Sequence, residues 1–418
     1  MSDSLTLVAD GRVMGTVVRL GARLTLHYDA TWRGQADAWP LSLSMPLVVA
    51  EHEHSRIEPW LRRLLPGDER VLRQWGRRFN VGAGDVFGLL AAVGEDCPGA
   101  VQIVPPDRLA PLLDAKSMTV DWLTRAGMAD RLRALRKDHA AWRQPRDAGH
   151  CSLAGSQPKT ALFFNGQHWG VPSGRTPTTH ILKPLPAESA GRAYNTQLCL
   201  HLARAMGLPA AHADIVVFED EIALAVERYD RVRENGTIRR LHQEELGQAL
   251  GQTGAGKPRS LPLARVTESL RAYSAAPHED IWRLIKALLL KWLVASPERD
   301  CGDQAILIGA DGRTRLAPLH DVTSLLLDNP DAATALEVAG NSGSESPQRH
   351  WRRVAAEARL PPAQVIAIGR DMAAAVPQAL RQIQLRTPPN SATHPVLTQL
   401  THRLTRRAER CAEALAAA

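Results

Sequence analysis

"CSLAGSQPKT" (151–160) runs directly into "ALFF" (161–164) and "HWGVP" (168–172), both of which read as strand. The turn is built from small residues, Ser152, Ala154, Gly155 and Ser156, and it ends in Lys159-Thr160. A turn poor in side chains and closed by a lysine lets backbone N–H groups approach a phosphate chain. It is not a Walker A loop, which needs two glycines at fixed spacing before its lysine; only Gly155 is present. A second lysine follows in "HILKP" (180–184), where Lys183 lies near the end of an extended apolar segment.

Outward from this turn, residues 4–48 alternate apolar and polar, with turn signals at Asp10-Gly11 and Gly21, and predict a small β-rich meander. "RIEPWLRRLLPGDERVLRQWGRRF" (56–79) has helical spacing, and "VQIVPPDRLAP" (101–111) reads as a strand with a proline-rich exit, which places a boundary near residue 107. Residues 118–143 read as helix. From 150 to 230 the pattern is strand, loop, strand, helix, strand, strand. "AYNTQLCLHLARAMGL" (193–208) is an amphipathic helix closed by Gly207, and "EDE" (219–221) is a hairpin turn. From about residue 240 helices dominate, except for a hairpin in "DQAILIGADGRTRLAPLHDVTSLL" (303–326) with Asp311-Gly312 at its turn. A β-rich lobe carrying a phosphate-type turn and a strand lysine, followed by a helical lobe holding acidic residues, is the layout of a two-lobed kinase. The expected fold is therefore α+β and protein-kinase-like: a β-rich N-terminal subdomain (1–107), a kinase N-lobe with the phosphate loop and strand lysine (108–230) and a mostly helical C-lobe (231–418).

The 418 residues are 44% hydrophobic and 23% charged, ordinary values for a globular chain. No apolar run reaches the ~18 residues that span a bilayer; "DIWRLIKALLLKWLVAS" (280–296) comes nearest and carries charges. The start, "MSDSLTLVADG", has neither the basic nor the apolar region of an export signal. Cysteines 97, 151, 199, 301 and 411 are widely spaced with no C-x-x-C pair, against a disulfide framework or zinc site and for a reducing cytoplasm. The formal net charge of +7 comes largely from arginine, as in "HRLTRRAER" (402–410). That excess fits a solvated helix face, or a face beside a DNA-binding partner.

Several motifs, in order along nearly the whole chain, resemble those of the HipA-type serine/threonine kinase toxins of bacterial toxin–antitoxin modules. They are "PLSLSMPL" (40–47), "GEDCPGAVQIVP" (94–105), "SLAGSQPKTAL" (152–162), "TPTTHILKP" (176–184), "ALAVERYDR" (223–231), "HQEELGQALG" (242–251) and "LAPLHDVTSLL" (316–326). The resemblance implies that Ser152 is the serine these kinases phosphorylate on themselves, which ejects the loop and ends activity. It implies that the amides of Ala154, Gly155, Ser156, Gln157, Lys159 and Thr160 cradle the phosphates of ATP, with the Lys159 side chain nearby, and that Lys183 contacts the same phosphates. Glu227 and Tyr229 fall where the family binds adenine, and Asp321 matches its Mg2+-binding aspartate. The implied partners are a HipB-like DNA-binding antitoxin, with DNA contacted only through that complex, and a protein substrate such as an aminoacyl-tRNA synthetase. No membrane partner is implied.

Departures from the pattern fall on the catalytic loop. The family reads D-x-H-x-K-N; here the aligned residues are Glu298-Arg299-Asp300-Cys301-Gly302-Asp303. Glu298 takes the place of the base, which keeps a carboxylate there, and Asp303 that of the metal-binding asparagine, which keeps an oxygen ligand. Gly302 loses a cation that would neutralise the transferring phosphoryl group. In the pair Asn195-Thr196, Thr196 replaces the glutamate that would hold the strand lysine. Two functional classes follow: an ATP- and Mg2+-dependent serine kinase, with Glu298, Asp303 and Asp321 catalytic and Asp303 and Asp321 on the metal, or a pseudokinase that binds nucleotide and regulates a partner. His180, His242 and His320 are expected to be structural.

Overall fold

A computed structural model describes residues 3–114, 119–144, 147, 151–185, 190–252, 261–297, 301, 304–329, 346–386 and 394–416. The chain forms two compact units: Met1–Pro186 with Val216–Pro258 and Ile306–Thr314, and Ala187–Ile215 with Arg259–Ala305 and Arg315–Ala418.

The first unit opens with β1 (Ser4–Ala9), β2 (Arg12–Leu20) and β3 (Arg23–Tyr28), a meander as its alternation predicts. Asp10 and Gly11 both have positive φ, the requirement of a two-residue hairpin turn. With β4 (Glu51–His52) and β5 (Gln102–Val104) these strands form a sheet of order β4-β3-β2-β1-β5. Helices α1 (Ala30–Arg33), α2 (His54–Arg62), α3 (Glu69–Phe79) and α4 (Val86–Val93) accompany it. Pro66-Gly67 divides residues 56–79 into two helices, because proline cannot continue a helix and Asp68 caps the next by accepting from Arg70 N. The proline-rich exit near residue 107 is itself helical, α5 (Pro106–Leu113), entered through a proline in its first turn.

A second sheet has order β10-β11-β9-β7-β8-β6. Its strands are β6 (Thr119–Trp122), β7 (Thr160–Phe164), β8 (Trp169–Ser173), β9 (His180–Leu185), β10 (Ala213–Phe218) and β11 (Glu221–Glu227). Residues 119–122 are thus strand, not helix: pairing with β8 at the sheet edge decides a four-residue run whose local pattern is ambiguous. Helix α6 (Arg125–Lys137) packs Met128, Ala129 and Leu132 on the sheet face made by Leu162, Leu182, Ala223 and Ala225. The ribbon of β12 (Arg231–Glu234) and β13 (Thr237–Arg240) follows. A three-stranded sheet combines β14 (His242–Glu245), β15 (Ala305–Ile308) and β16 (Thr314–Leu316), with Asp311 and Gly312 again at positive φ. Short α8 (Leu246–Ala249) closes β14.

The second unit is largely helical: α7 (Ala190–Ala205), α9 (Leu263–Tyr273), α10 (Pro277–Leu293), α11 (Pro347–Glu357), α12 (Pro362–Arg386) and α13 (Pro395–Ala416). Leu284, Ile285, Leu288, Leu289, Trp292, Trp351, Val354, Leu380, Leu400 and Leu404 are buried at its core. Among the described residues, no helix is long and apolar enough to cross a membrane.

Candidate functional site

The turn 151–160 is stitched down at its start and open at its tip. Cys151 bridges Asp96 and Gly155 bridges Pro66, both in parallel sense. Ser152 N donates to Asp96 O at 3.1 Å, and Gly67 N donates to Gly155 O at 3.0 Å. The Ser152 side chain is fully buried, its hydroxyl donating to Leu64 O at 2.6 Å. Gly155, Ser156 and Gln157 are exposed, and the amides of Ser156 and Gln157 donate to no protein acceptor among the described residues. Unpaired N–H groups on an exposed turn are what a phosphate oxygen requires.

The lysine at the end of the turn closes the loop on itself. Lys159 is buried, donates to Ala154 O and lies 5.7 Å from the Trp142 ring centre. Gly155 has φ +92°, and a Cβ there would stand 2.7 Å from Lys159 Nζ, so the position needs glycine. Thr160 begins β7 and gives its hydroxyl to Trp142 O at 2.8 Å. Lys183 sits in β9 between β7 and β11, in register with Leu224. Ala161 pairs with Ile181, so Lys183 shares the sheet face of Ala161, opposite the face that packs on α6.

Glu227 ends β11 exposed and opposite His180. Tyr229 donates its hydroxyl to Gln243 Oε1 at 2.6 Å; burial, with the charges of Asp230 and Glu245, pushes its phenol pKa well up. Around them lies a buried network that binds three of the sequence motifs together. Asp96 accepts from Thr178 N (3.0 Å), Thr178 Oγ1 (2.6 Å) and Arg231 Nη2 (2.9 Å), and faces Arg228 and Arg240. Asp230 accepts from Gly99 N (2.7 Å) and from Arg228 Nε and Nη2 (3.0 and 2.8 Å). Burial opposes ionisation of both carboxyls, but the guanidiniums outweigh it, holding Asp96 far below the ordinary range and Asp230 at about 2.

The motifs at 40–47 and 242–251 join in the same way. His242 stacks on Trp39 with ring centres 4.3 Å apart, and its Nε2 lies 2.9 Å from Leu41 O; burial lowers its pKa to about 4. Glu244 accepts from Leu43 N at 2.9 Å and Trp60 Nε1 at 3.2 Å, yet burial raises its carboxyl to about 7. Many of the residues that make these motifs recognisable are therefore scaffold beneath the loop. The only sequence signal of that role was their joint occurrence.

In the second unit, Asp321 is half-buried on a segment pinned at both ends. Leu319 N donates to Pro209 O and Ala211 N to Leu319 O, at 2.9 and 2.7 Å. Asn195 of α7 clamps Ser324, its Nδ2 donating to Ser324 O at 2.7 Å while its Oδ1 accepts from Ser324 N at 2.9 Å. That clamp on the aspartate segment was invisible in the sequence. Thr196, its neighbour, turns its hydroxyl back to Arg192 O at 3.2 Å. Glu298 and Asp303 lie outside the described residues, and among the described residues no cluster of three His, Cys, Asp or Glu forms a metal centre. Ser152, Ala154–Thr160, Lys183, Glu227 and Tyr229 thus belong to the first unit and Asp321 to the second.

Comparison with known proteins agrees over most of the chain. Residues 5–104 match the HipA N-terminal domain family, and residues 151–380 match the HipA-like C-terminal domain family. A Sinorhizobium fredii protein, Y4mE, whose name carries a provisional kinase label, is 31% identical over 329 residues, 75% of this chain and 76% of that protein. The serine/threonine-protein kinase toxin HipA of Shewanella oneidensis is 31% identical over 230 residues, 54% of this chain and 50% of that one. The solved complex of Shewanella oneidensis HipA with HipB and operator DNA contains a chain that superposes with a TM-score of 0.80 at 23% identity, covering 99% of this chain and 100% of that one.

Proposed function

Because this chain belongs to the HipA family of kinase toxins and has its α+β, kinase-like fold, we propose that it is an ATP- and Mg2+-dependent serine/threonine kinase that phosphorylates a protein of the translation machinery. The observation that carries the nucleotide site is the exposed turn at Ser156-Gln157, whose amides have no protein acceptor among the described residues and which leads into β7, the strand beside the one bearing Lys183. In this reading the backbone from Ala154 to Thr160 holds the phosphates and Lys183 supplies a cation to them. Lys159 keeps the loop closed by donating its ammonium to Ala154 O. The chain at Glu227 and Tyr229 receives the adenine. Asp321 and Asp303 hold Mg2+, which when bound screens the charge of the transferring phosphoryl group. Glu298 accepts the proton of the substrate hydroxyl.

The anchored Asp321 segment suits metal binding, since a ligand held from both sides needs no reordering when the ion arrives. We place the N-terminal subdomain at 1–107, the N-lobe at 108–230 and the C-lobe at 231–418. A HipB-like, DNA-binding antitoxin is the restraining partner, an aminoacyl-tRNA synthetase fits as substrate class, and the cytoplasm is the compartment. The second reading, a nucleotide-binding pseudokinase, is favoured by Glu298, Gly302, Asp303 and Thr196 at the departing positions. Calorimetry of ATP with Mg2+ on wild type and Asp321→Ala tests the site, and phosphate transfer from labelled ATP separates the two readings. Absence of binding by wild type sinks both; binding without transfer selects the pseudokinase.

A further inference from the structure

The C-terminal helix α13 sends two arginines, one helical turn apart on the same face, into backbone of its own unit. Arg407 is buried; its Nε donates to Trp292 O and Leu293 O at 3.2 and 3.1 Å, and its Nη2 to Trp292 O at 2.8 Å. These carbonyls belong to the last turn of α10, the helix that leads into the segment carrying Glu298 and Asp303. Arg403 is half-buried and donates from Nη1 to Leu326 O at 2.6 Å and Leu327 O at 3.1 Å, on the segment that follows Asp321.

The two anchored segments are also tied to each other. Leu325 N donates to Ala295 O at 3.0 Å, and Ala295 ends α10 with φ +51°, a left-handed turn that a non-glycine residue adopts at a cost. A helix C-terminus exposes unsatisfied carbonyls and partial negative charge, so a guanidinium there satisfies the hydrogen bonds and the dipole together. Arg403 does the same for two carbonyls of irregular chain. Neither arginine is needed to bury apolar surface, since Leu400, Leu404 and Ala408 already pack α13 inward.

We propose that Arg403 and Arg407 are positioning residues: α13 fixes the end of α10 and the backbone that follows Asp321, and through Asp321 sets the affinity of the Mg2+ site. The proposal rests on the kinase reading for the identity of that ion, not for the geometry. Arg403 is the residue to test, because Arg407 is buried and its loss risks misfolding. Arg403→Met keeps the apolar stem and removes the donors; Arg403→Lys restores one.

In Arg403→Met the Mg2+ concentration for half-maximal phosphate transfer should rise roughly 10-fold, with kcat falling by 10- to 100-fold, the scale of an ångström-sized misplacement. ATP affinity without Mg2+ should be unchanged, because the phosphate loop and Lys183 belong to the other unit. Arg403→Lys should recover part of the loss. An unchanged Mg2+ requirement, or a loss of kcat that follows a lowered Tm and is not rescued by lysine, overturns the proposal. Wild type without transfer refutes the kinase reading separately. Hydrogen exchange at the amides of Val322–Leu327 then decides the positioning: faster in Arg403→Met and restored in Arg403→Lys upholds it, equal rates refute it.

Discussion

The hydroxyl of Ser152 donates to the carbonyl of Leu64 across 88 residues of chain, with no part of the serine exposed. A phosphate carries about 1.5–2 negative charges and three more oxygens, whereas the partner of this buried hydroxyl is a backbone carbonyl, which offers them no hydrogen to accept. Phosphorylation and the closed loop therefore exclude each other. Ser152→Asp should weaken ATP binding, and the Ser152 and Gly67 amides should lose protection from hydrogen exchange. Ser152→Ala should retain ATP binding but leave Leu64 O unsatisfied, costing about 1–2 kcal/mol and lowering Tm by a few degrees. Mass spectrometry of wild type and Asp321→Ala shows whether Ser152 carries phosphate and whether the protein put it there. Phosphate on Ser152 with undiminished ATP affinity would refute the switch.

Gly155 and Lys159 lock the tip of the same loop. A side chain at φ +92° costs about 1–2 kcal/mol, and a Cβ would displace the ammonium from Ala154 O. Gly155→Ala should reduce ATP affinity at least ~10-fold, one decade being ~1.4 kcal/mol, while Tm falls by no more than a few degrees, as for Ser152→Ala. Equal affinities by calorimetry would mean that the turn does not hold the phosphates.

What the sequence reveals here depends on how far a residue's partners lie. The hairpins at Asp10-Gly11 and Asp311-Gly312 were legible because positive φ is a demand met locally. The break at Pro66-Gly67 was local too, but the helical period on both sides masked it. Strand β6 was missed because only β8 makes it a strand. Asp96 offered no local clue at all: Thr178, Arg228, Arg231 and Arg240 lie 82, 132, 135 and 144 residues further on. Resemblance to a family found all of these but Arg240, without revealing that their work is structural.

Removing the Asp96 charge should be costly. Asp96→Asn leaves Arg228, Arg231 and Arg240 buried with Asp230 as the remaining carboxylate of the network, and breaking a buried ion pair on one side costs about 3–5 kcal/mol. Asp37→Asn, which releases Arg12 at the surface, should cost far less, because solvent screens an exposed pair. Chemical denaturation of both variants provides the comparison. Similar midpoints would show that the network is not what holds the 94–100, 176–178 and 228–240 segments together.

Glu244 gives stability a pH dependence of definite sign. Its carboxyl binds a proton more tightly in the folded chain (about 7) than at its ordinary value of 4.5. The contribution is fully present below pH ~4.5 and is lost as pH rises through about 7. Between pH 5 and 8 the buried group should cost up to about 3 kcal/mol, from 1.36 kcal/mol per pKa unit. Glu244→Gln, neutral throughout, should flatten the fall in Tm over that range. An identical pH profile in the variant would show that Glu244 is ionised in the fold at neutral pH.

The last prediction concerns the residue that decides between enzyme and pseudokinase. If phosphate transfer survives, Glu298 is its base, being the carboxylate at the aligned position five residues before Asp303. Glu298→Gln keeps the size and removes the basicity, so transfer should disappear while ATP affinity stays nearly intact. Wild-type rates in that variant would move the base elsewhere, with Asp300 the first candidate. Glu298→Asp asks the converse question, because it shortens the arm by one methylene to the family's own length. If the longer arm is what impairs the site, transfer should rise by up to ~100-fold, the scale set by a displacement near 1 Å. A silent Glu298→Asp would instead put the defect at Gly302, which stands where the family carries a lysine. Gly302→Lys combined with Glu298→Asp then either restores transfer or leaves a protein whose kinase fold has been kept for binding alone.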